Sequence, residues 1–264
     1  MLVDTHCHLT FPELTSQIEA VIARARTAGV DRLITVTMTP AEGYVGLKLA
    51  DRFEGVFVSA GIHPHESARC TSADLEALAA LHRDPQIAQS GRLVAVGETG
   101  LDLYHQFAPR ERQEEVFRFQ LELASQVRRP VVIHARQAEQ RVLEILNDYP
   151  RLEGRVVFHC YSADAALARS IVDRGFSVSL TGVVTFANAR RLHDAARYVP
   201  AERLMIETDA PFLTPEPLRG RRPNEPAMLI HTARFLAELR AERFEDFAAT
   251  TTTNAIRFFG LSEE

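Results

Sequence analysis

The sequence of 264 residues predicts an α/β chain folded as a single-domain (β/α)8 TIM barrel. Three observations carry this prediction. Short apolar, β-rich runs alternate with amphipathic helical patterns along the whole length, which implies right-handed βαβ units and a parallel sheet. Eight such units fit into roughly 250 residues, the usual size of this barrel. No G-x-G-x-x-G follows the first apolar run, so a doubly wound nucleotide-binding sheet loses its main support. Repeats, low-complexity segments and linkers are absent from the sequence, and one domain over residues 1–264 is expected.

In chain order the expected strands are Leu2–His6, Arg32–Thr37, Val56–Gly61, Leu93–Gly97, Val131–His134, Val156–His159, Ser177–Leu180 and Leu204–Ile206. The first rests mainly on composition, because Leu2, Val3, Thr5 and Cys7 do not alternate cleanly. Alternation along it would point Asp4, His6 and His8 one way. Between strands the period changes. In Gln113–Ala124, residues Gln113, Phe117, Gln120, Leu121 and Ala124 share a helical face. The Pro-rich stretch Pro211–Pro226 reads as a long functional loop after the last strand, followed by helices over Ala227–Arg240 and Phe244–Phe259.

Composition narrows the function. An apolar fraction of 46% and a charged fraction of 25% are ordinary for a soluble globular protein. No apolar run approaches the ~20 residues of a membrane span, and no basic-then-apolar leader is visible. Cys7, Cys70 and Cys160 are odd in number, far apart and without C-x-x-C, which fits a reducing cytoplasm. A net charge of −5 argues against broad electrostatic capture of nucleic acid, while leaving room for a local basic patch. A monomer is expected.

The chemistry gathers at strand ends, where barrels of this kind place their active sites. The first strand ends in His6-Cys7-His8 and the third in Gly61-Ile62-His63-Pro64-His65. The fourth ends in Gly97-Glu98-Thr99-Gly100-Leu101-Asp102, the fifth in His134, the sixth in His159 and the eighth in Glu207-Thr208-Asp209. A lone histidine after an apolar run is ordinarily structural. Six strand ends bearing His, Glu or Asp in one register point instead to metal. His6, His8, Glu98, His134, His159 and Asp209 are too many donors for one tetrahedral site, so two divalent ions are expected. Lys48, the only lysine, falls in the helical region after the second strand, which leaves Glu98 as the expected bridging ligand. Imidazoles suit Zn2+ and carboxylates with phosphate suit Mg2+ or Mn2+, and all three stay open.

These motifs, together with Pro130-Val131-Val132-Ile133-His134-Ala135-Arg136, His159-Cys160-Tyr161-Ser162, Glu207-Thr208-Asp209-Ala210-Pro211 and Asn224-Glu225-Pro226, resemble the TatD family of metal-dependent hydrolases nearly end to end. The resemblance implies His6, His8, Glu98 and Asp209 around one ion, and Glu98, His134 and His159 around the other. It also implies deoxyribonuclease activity, at least for some members. Two departures bear on substrate preference: Leu103-Tyr104 stands where the family often has two tyrosines, and Tyr161 and Ala163 replace its usual Phe and Gly.

The activity expected is therefore metal-dependent hydrolysis of phosphodiester bonds, with DNA or an oligonucleotide trimmed from an end. An amidase, lactonase or esterase acting on a small molecule is the alternative, because the same ions polarise a carbonyl. Glu98 and Asp209 are the expected catalytic residues, with Asp209 handling the proton of the attacking water. His63 and His65 would line the mouth and contact phosphate, with packing of His63 against Pro64 as the alternative; Asp102 would orient the site or a ligand, or else cap a turn; and Glu207 would support a ligand histidine. Arg136, which follows His134 by two residues, is a phosphate candidate, as are Arg219, Arg221 and Arg222, with a merely solvated charged surface as the equal alternative. His82, His193 and His231 read as surface or packing residues. Cys7 should point away from the metal into strand–helix packing.

Overall fold

The computed structural model describes residues 1–261; the end of the expected domain, residues 262–264, lies outside the described residues. Eight strands appear in order: β1 (Leu2–Cys7), β2 (Val30–Thr37), β3 (Val56–Ala60), β4 (Leu93–Asp102), β5 (Val131–Arg136), β6 (Val156–Phe158), β7 (Ser177–Leu180) and β8 (Leu204–Ile206). They form one sheet in sequence order, and every pairing described is parallel. The fold class is the (β/α)8 TIM barrel. Within it, contacts group into two compact units, one of Met1–Thr35 with Cys160–Phe258 and one of Val36–His159 with Phe259 onward.

In the first unit, the helix Leu229–Leu239 packs on β1 and β8 with Leu229, Ala233 and Leu236 fully buried. The carboxyl end of β1 is tied to the segment after β8. His8 N–H donates to Ala210 O at 2.7 Å and Asp209 N–H donates to His6 O at 2.9 Å. A parallel bridge between Cys7 and Ala210 completes this junction. Cys7 is buried, its thiol 3.5 Å from Ile34 O of the neighbouring strand β2.

In the second unit, the helix Arg110–Val127 packs on β4, and the helix Pro40–Arg52 packs on β3. Gln113 and Gln120 lie two turns apart on the buried face of Arg110–Val127 and replace missing backbone partners. Gln120 accepts from Ile62 N–H at 2.8 Å and donates to Thr99 Oγ1 at 2.6 Å. Gln113 accepts from Asp102 N–H at 2.8 Å and donates to Asp102 O at 3.1 Å. Two side chains thereby fix the ends of β3 and β4.

β4 runs past its expected end at Gly97 to Asp102, pairing Thr99, Gly100, Leu101 and Asp102 with Ile133, His134, Ala135 and Arg136 of β5. Glycine makes this possible. Gly97 and Gly100 both have φ of 140°, and a Cβ on Gly100 would stand 2.0 Å from the His134 carbonyl oxygen. The other two long helices predicted fall where expected, at Leu229–Leu239 and Phe244–Phe259.

Candidate metal centre

Each unit carries its own cluster of ligand-type side chains, placed by residues that leave the carboxyl ends of strands. In the first unit these are His6, His8 and Asp209. His6 Nε2 and His8 Nε2 lie 3.3 Å apart, and Asp209 Oδ1 stands 3.7 Å from the first and 3.4 Å from the second. Both histidines are buried, whereas Asp209 keeps an open side. The chain turns at Asp209 through a φ of 54°, a left-handed conformation that Asp tolerates better than most residues. Phe11 stacks on the His8 ring at 4.8 Å, and the exposed Phe212 meets it edge-on at 6.2 Å.

Asp4 has a separate task from its neighbours His6 and His8. The β1–β2 register shifts between Asp4 and Cys7, and the Asp4 carboxylate accepts from Thr208 N–H at 2.9 Å and Thr208 Oγ1–H at 2.5 Å. Burial pushes its pKa up to about 7 against these hydrogen bonds. Glu207 is also buried. Its Oε1 accepts from Cys160 N–H at 2.6 Å, and its Oε2 accepts from Thr5 Oγ1–H at 3.5 Å. It thus holds the backbone immediately after His159.

In the second unit, Glu98 Oε1 is the focus of three imidazoles: His159 Nε2 at 2.7 Å, His134 Nδ1 at 2.8 Å and His63 Nε2 at 3.3 Å. Asp102 forms a second focus beside it. Its Oδ2 lies 2.7 Å from His65 Nε2, 2.8 Å from His105 Nδ1 and 3.2 Å from His134 Nε2. Its Oδ1 accepts from the N–H groups of Tyr104 and His105. Burial works against the ionised Asp102, but hydrogen bonds from His134, His105 and His65 outweigh it and hold the carboxyl well below the usual range. Burial likewise lowers His134, and here Asp102 and Glu98 prevail and raise its pKa. His63 is pushed down to about 4 by burial, despite Glu98, and is a neutral imidazole near pH 7.

The clusters suit a divalent cation. Three nitrogens crowd one buried carboxylate oxygen in one unit, and two imidazoles face a carboxylate in the other. Neutral imidazole with carboxylate oxygen is the donor set of Zn2+ and related ions.

Most residues singled out from sequence have a definite place. His63 is buried in the Glu98 cluster rather than lining a mouth, and His65 reaches Asp102. Arg136 is exposed, its guanidinium 4.8 Å above the Tyr104 ring. Arg219 lies over Phe186 at 4.0 Å, and Arg221 and Arg222 are exposed. Asn224 ties down the loop after β8 by donating to Thr208 O at 3.0 Å and Phe212 O at 2.5 Å. His82 and His193 are packing residues that bond Ala60 O and Val184 O. Sequence reasoning missed His105 and Phe107. Their signal was the aromatic pair following Leu101-Asp102, diluted by an otherwise unremarkable aromatic content.

The chain is similar to known proteins over nearly its whole length. A sequence model described as TatD related DNase matches residues 3–260. A metal-dependent hydrolase of Bacillus subtilis, YabD, is 35% identical over 99% of this chain and 100% of its own length. A protein of Klebsiella pneumoniae named 3'-5' ssDNA/RNA exonuclease TatD is 34% identical over 98% of both chains. Among solved structures, the TatD homologue YJJV of Escherichia coli superposes with a TM-score of 0.92 at 29% identity, covering 99% of this chain and 98% of that one.

Proposed function

The chain belongs to the TatD-related DNase family, and on that premise we propose that it is a metal-dependent phosphodiesterase that trims DNA from an end, acting as one hydrolase domain. The observation that carries this reading is the convergence of His63, His134 and His159 on Glu98 Oε1, a carboxylate-centred imidazole set of the kind that holds a hydrolytic cation. The relatives named as metal-dependent hydrolases and as an exonuclease support it.

In this reading His6, His8 and Asp209 hold one divalent cation, and Glu98, His134 and His159 hold a second; Mg2+, Mn2+ and Zn2+ all suit the mixed donor set. When bound, such cations polarise a phosphodiester and bring the pKa of water towards neutrality. The protein's own groups do the rest. Asp102 fixes the His134 ring through Nε2, so that Nδ1 stays aimed at Glu98. Gln113 locks the Asp102 backbone from behind. Asp209 Oδ1, the carboxylate with an open side, takes the proton of the attacking water. Arg136, exposed beside His134 on β5, meets a phosphate of the strand.

The test is incubation of metal-loaded protein with end-labelled single-stranded DNA in Mg2+, Mn2+ or Zn2+, with Glu98→Gln as the control. Stepwise shortening by the wild type, lost by at least ~100-fold in the control, is the expected result. A protein holding metal by elemental analysis that cuts no DNA with any of the three ions, yet turns over carbonyl esters or amides, would overturn it.

A further inference from the structure

We propose that Tyr104, His105, Phe107 and Arg136 form a stacking subsite for an unpaired nucleobase, seated beside the Asp102–His134 pair. This rests on the nucleic-acid reading above and names where one nucleotide of the substrate is held.

The segment after β4 leaves two large rings in water within four residues: Tyr104 is 53% exposed and Phe107 is 62% exposed. Other large rings of the chain, such as Phe117, Phe158 and Phe247, are fully buried. Exposed rings on a slack loop would mean little. These are on a loop fixed from beneath, because Asp102 accepts from the backbone N–H groups of Tyr104 and His105 and from the His105 ring. The His105 and Phe107 rings are parallel to within 4°, with centroids 5.6 Å apart, and Phe107 meets His65 edge-on at 4.7 Å. Beside Phe107 opens a cavity of about 410 Å³ bordered by Asp102, Gln106, Arg110 and Gln113. A flat heteroaromatic ring matches this surface: it stacks on the free face of Phe107 and continues the His105–Phe107 pile.

Charge points to the same occupant. Arg136 lies over Tyr104 at 4.8 Å and has no carboxylate partner among the described residues, so its N–H edges are available to a phosphate. The stack also has the right reach. Phe107 contacts His65, and the His65 ring lies 5.8 Å from the His134 ring. Two ring contacts therefore separate Phe107 from a residue of the metal cluster, so the stacked base and the scissile phosphate belong to the same short stretch of strand. Arrangement in a row of rings favours any of the four bases equally, so the subsite demands an unpaired base without reading its identity. A base held in a duplex could not present its face to Phe107.

An abasic scan tests this. Single-stranded oligonucleotides carry one tetrahydrofuran residue at successive positions from the end being trimmed, and wild type is compared with the Tyr104→Ala/Phe107→Ala double variant. For the wild type, one position should raise KM by about 5- to 150-fold with little change in kcat, the range of one base–aromatic stack. The double variant should show that raised KM on the intact strand and no further loss at that position. Tyr104→Phe/Phe107→Tyr should restore the wild-type pattern, which a merely destabilised loop would not do. Fluorescence anisotropy, with the same substitutions in the Glu98→Gln background, reads binding without turnover. Failure of the wild type to cut any strand refutes the nuclease reading. Equal binding of intact and abasic strands by both proteins refutes the subsite.

Discussion

Gly100→Ala should cost this protein both stability and metal through a single added methyl group. Gly100 pairs with His134 across β4 and β5, and its Cβ would stand 2.0 Å from the His134 carbonyl oxygen. Ordinary contact begins at 3.4 Å, so the strands would have to part by about 1.4 Å, far beyond the ~0.2 Å tolerance of metal–ligand distances. The clashing atom is backbone and cannot swing aside. A φ of 140° adds strain of its own, ~1–3 kcal/mol, and overpacking adds ~1–3 kcal/mol more. The expected loss of roughly 2–6 kcal/mol lowers the melting temperature by roughly 5–20 °C. Displacing His134 by more than an ångström should lower kcat/KM by at least ~100-fold. Thermal melts, metal content by mass spectrometry and phosphodiester hydrolysis read the three effects. Gly154→Ala is the control: its φ is 71° and nothing lies within 4 Å of the new Cβ. It should cost about 1–2 kcal/mol and keep its metal and activity. A Gly100→Ala protein that melts with the control and holds the full complement of metal would refute the reasoning.

The His6→Ala/His8→Ala double variant should stay folded by circular dichroism and hold one metal equivalent fewer than the wild type; equal filling of both positions would show that the pair is not a ligand set. His82 is a pH probe of the core. Arg129 Nη1 donates to His82 Nδ1 at 2.8 Å, and His82 Nε2–H donates to Ala60 O at 2.9 Å, which requires a neutral ring. Burial, helped by the Arg129 charge, pushes its pKa down to about 3. The unfolded chain protonates first, so the stability His82 contributes is complete above about pH 6.5 and falls as pH drops towards 3, by up to ~1.4 kcal/mol per unit. Denaturant titrations from pH 7 to pH 4 should show a shallower loss for His82→Gln than for the wild type, and parallel slopes would contradict this. Asn224→Ala strips partners from the buried carbonyl of Thr208 and the part-buried carbonyl of Phe212. It should cost about 2–4 kcal/mol and expose residues 211–226 to proteolysis, and a loop that resists protease like the wild type would count against its role as the anchor.

The strands were legible because each is an apolar run flanked by helical periodicity. The candidate ligands were legible because His, Glu and Asp follow those runs. The extension of β4 was not, since Glu98-Thr99-Gly100-Leu101-Asp102 mixes two charges with a glycine that strand propensity disfavours. What makes it a strand is the missing Cβ of Gly100 against His134, a tertiary fact. His63 gave a similar difficulty. A strand end shows where a side chain leaves the sheet, but not how the following loop folds back. Here Gln120, distant in sequence, grips Ile62 and directs His63 onto Glu98. Asp4 shares the parity of His6 and His8, yet a register shift in β1 gives it to Thr208. Tyr104 and Phe107 were hidden for a different reason: exposure is decided by what fails to pack on a ring, and no local pattern records that.

The junction of Cys7 with Ala210 has a consequence in time. His6 and His8 are synthesised about 200 residues before Asp209, roughly 10–40 s earlier at ~5–20 residues per second. Throughout that interval the histidine pair has neither its carboxylate nor the two backbone hydrogen bonds that fix it beside β8. The histidine pair thus waits for its carboxylate, and until Asp209 is made a nascent chain has no complete His6–His8–Asp209 set. A cation held by this set would be acquired only after Asp209 is made, so the order of translation would time its loading.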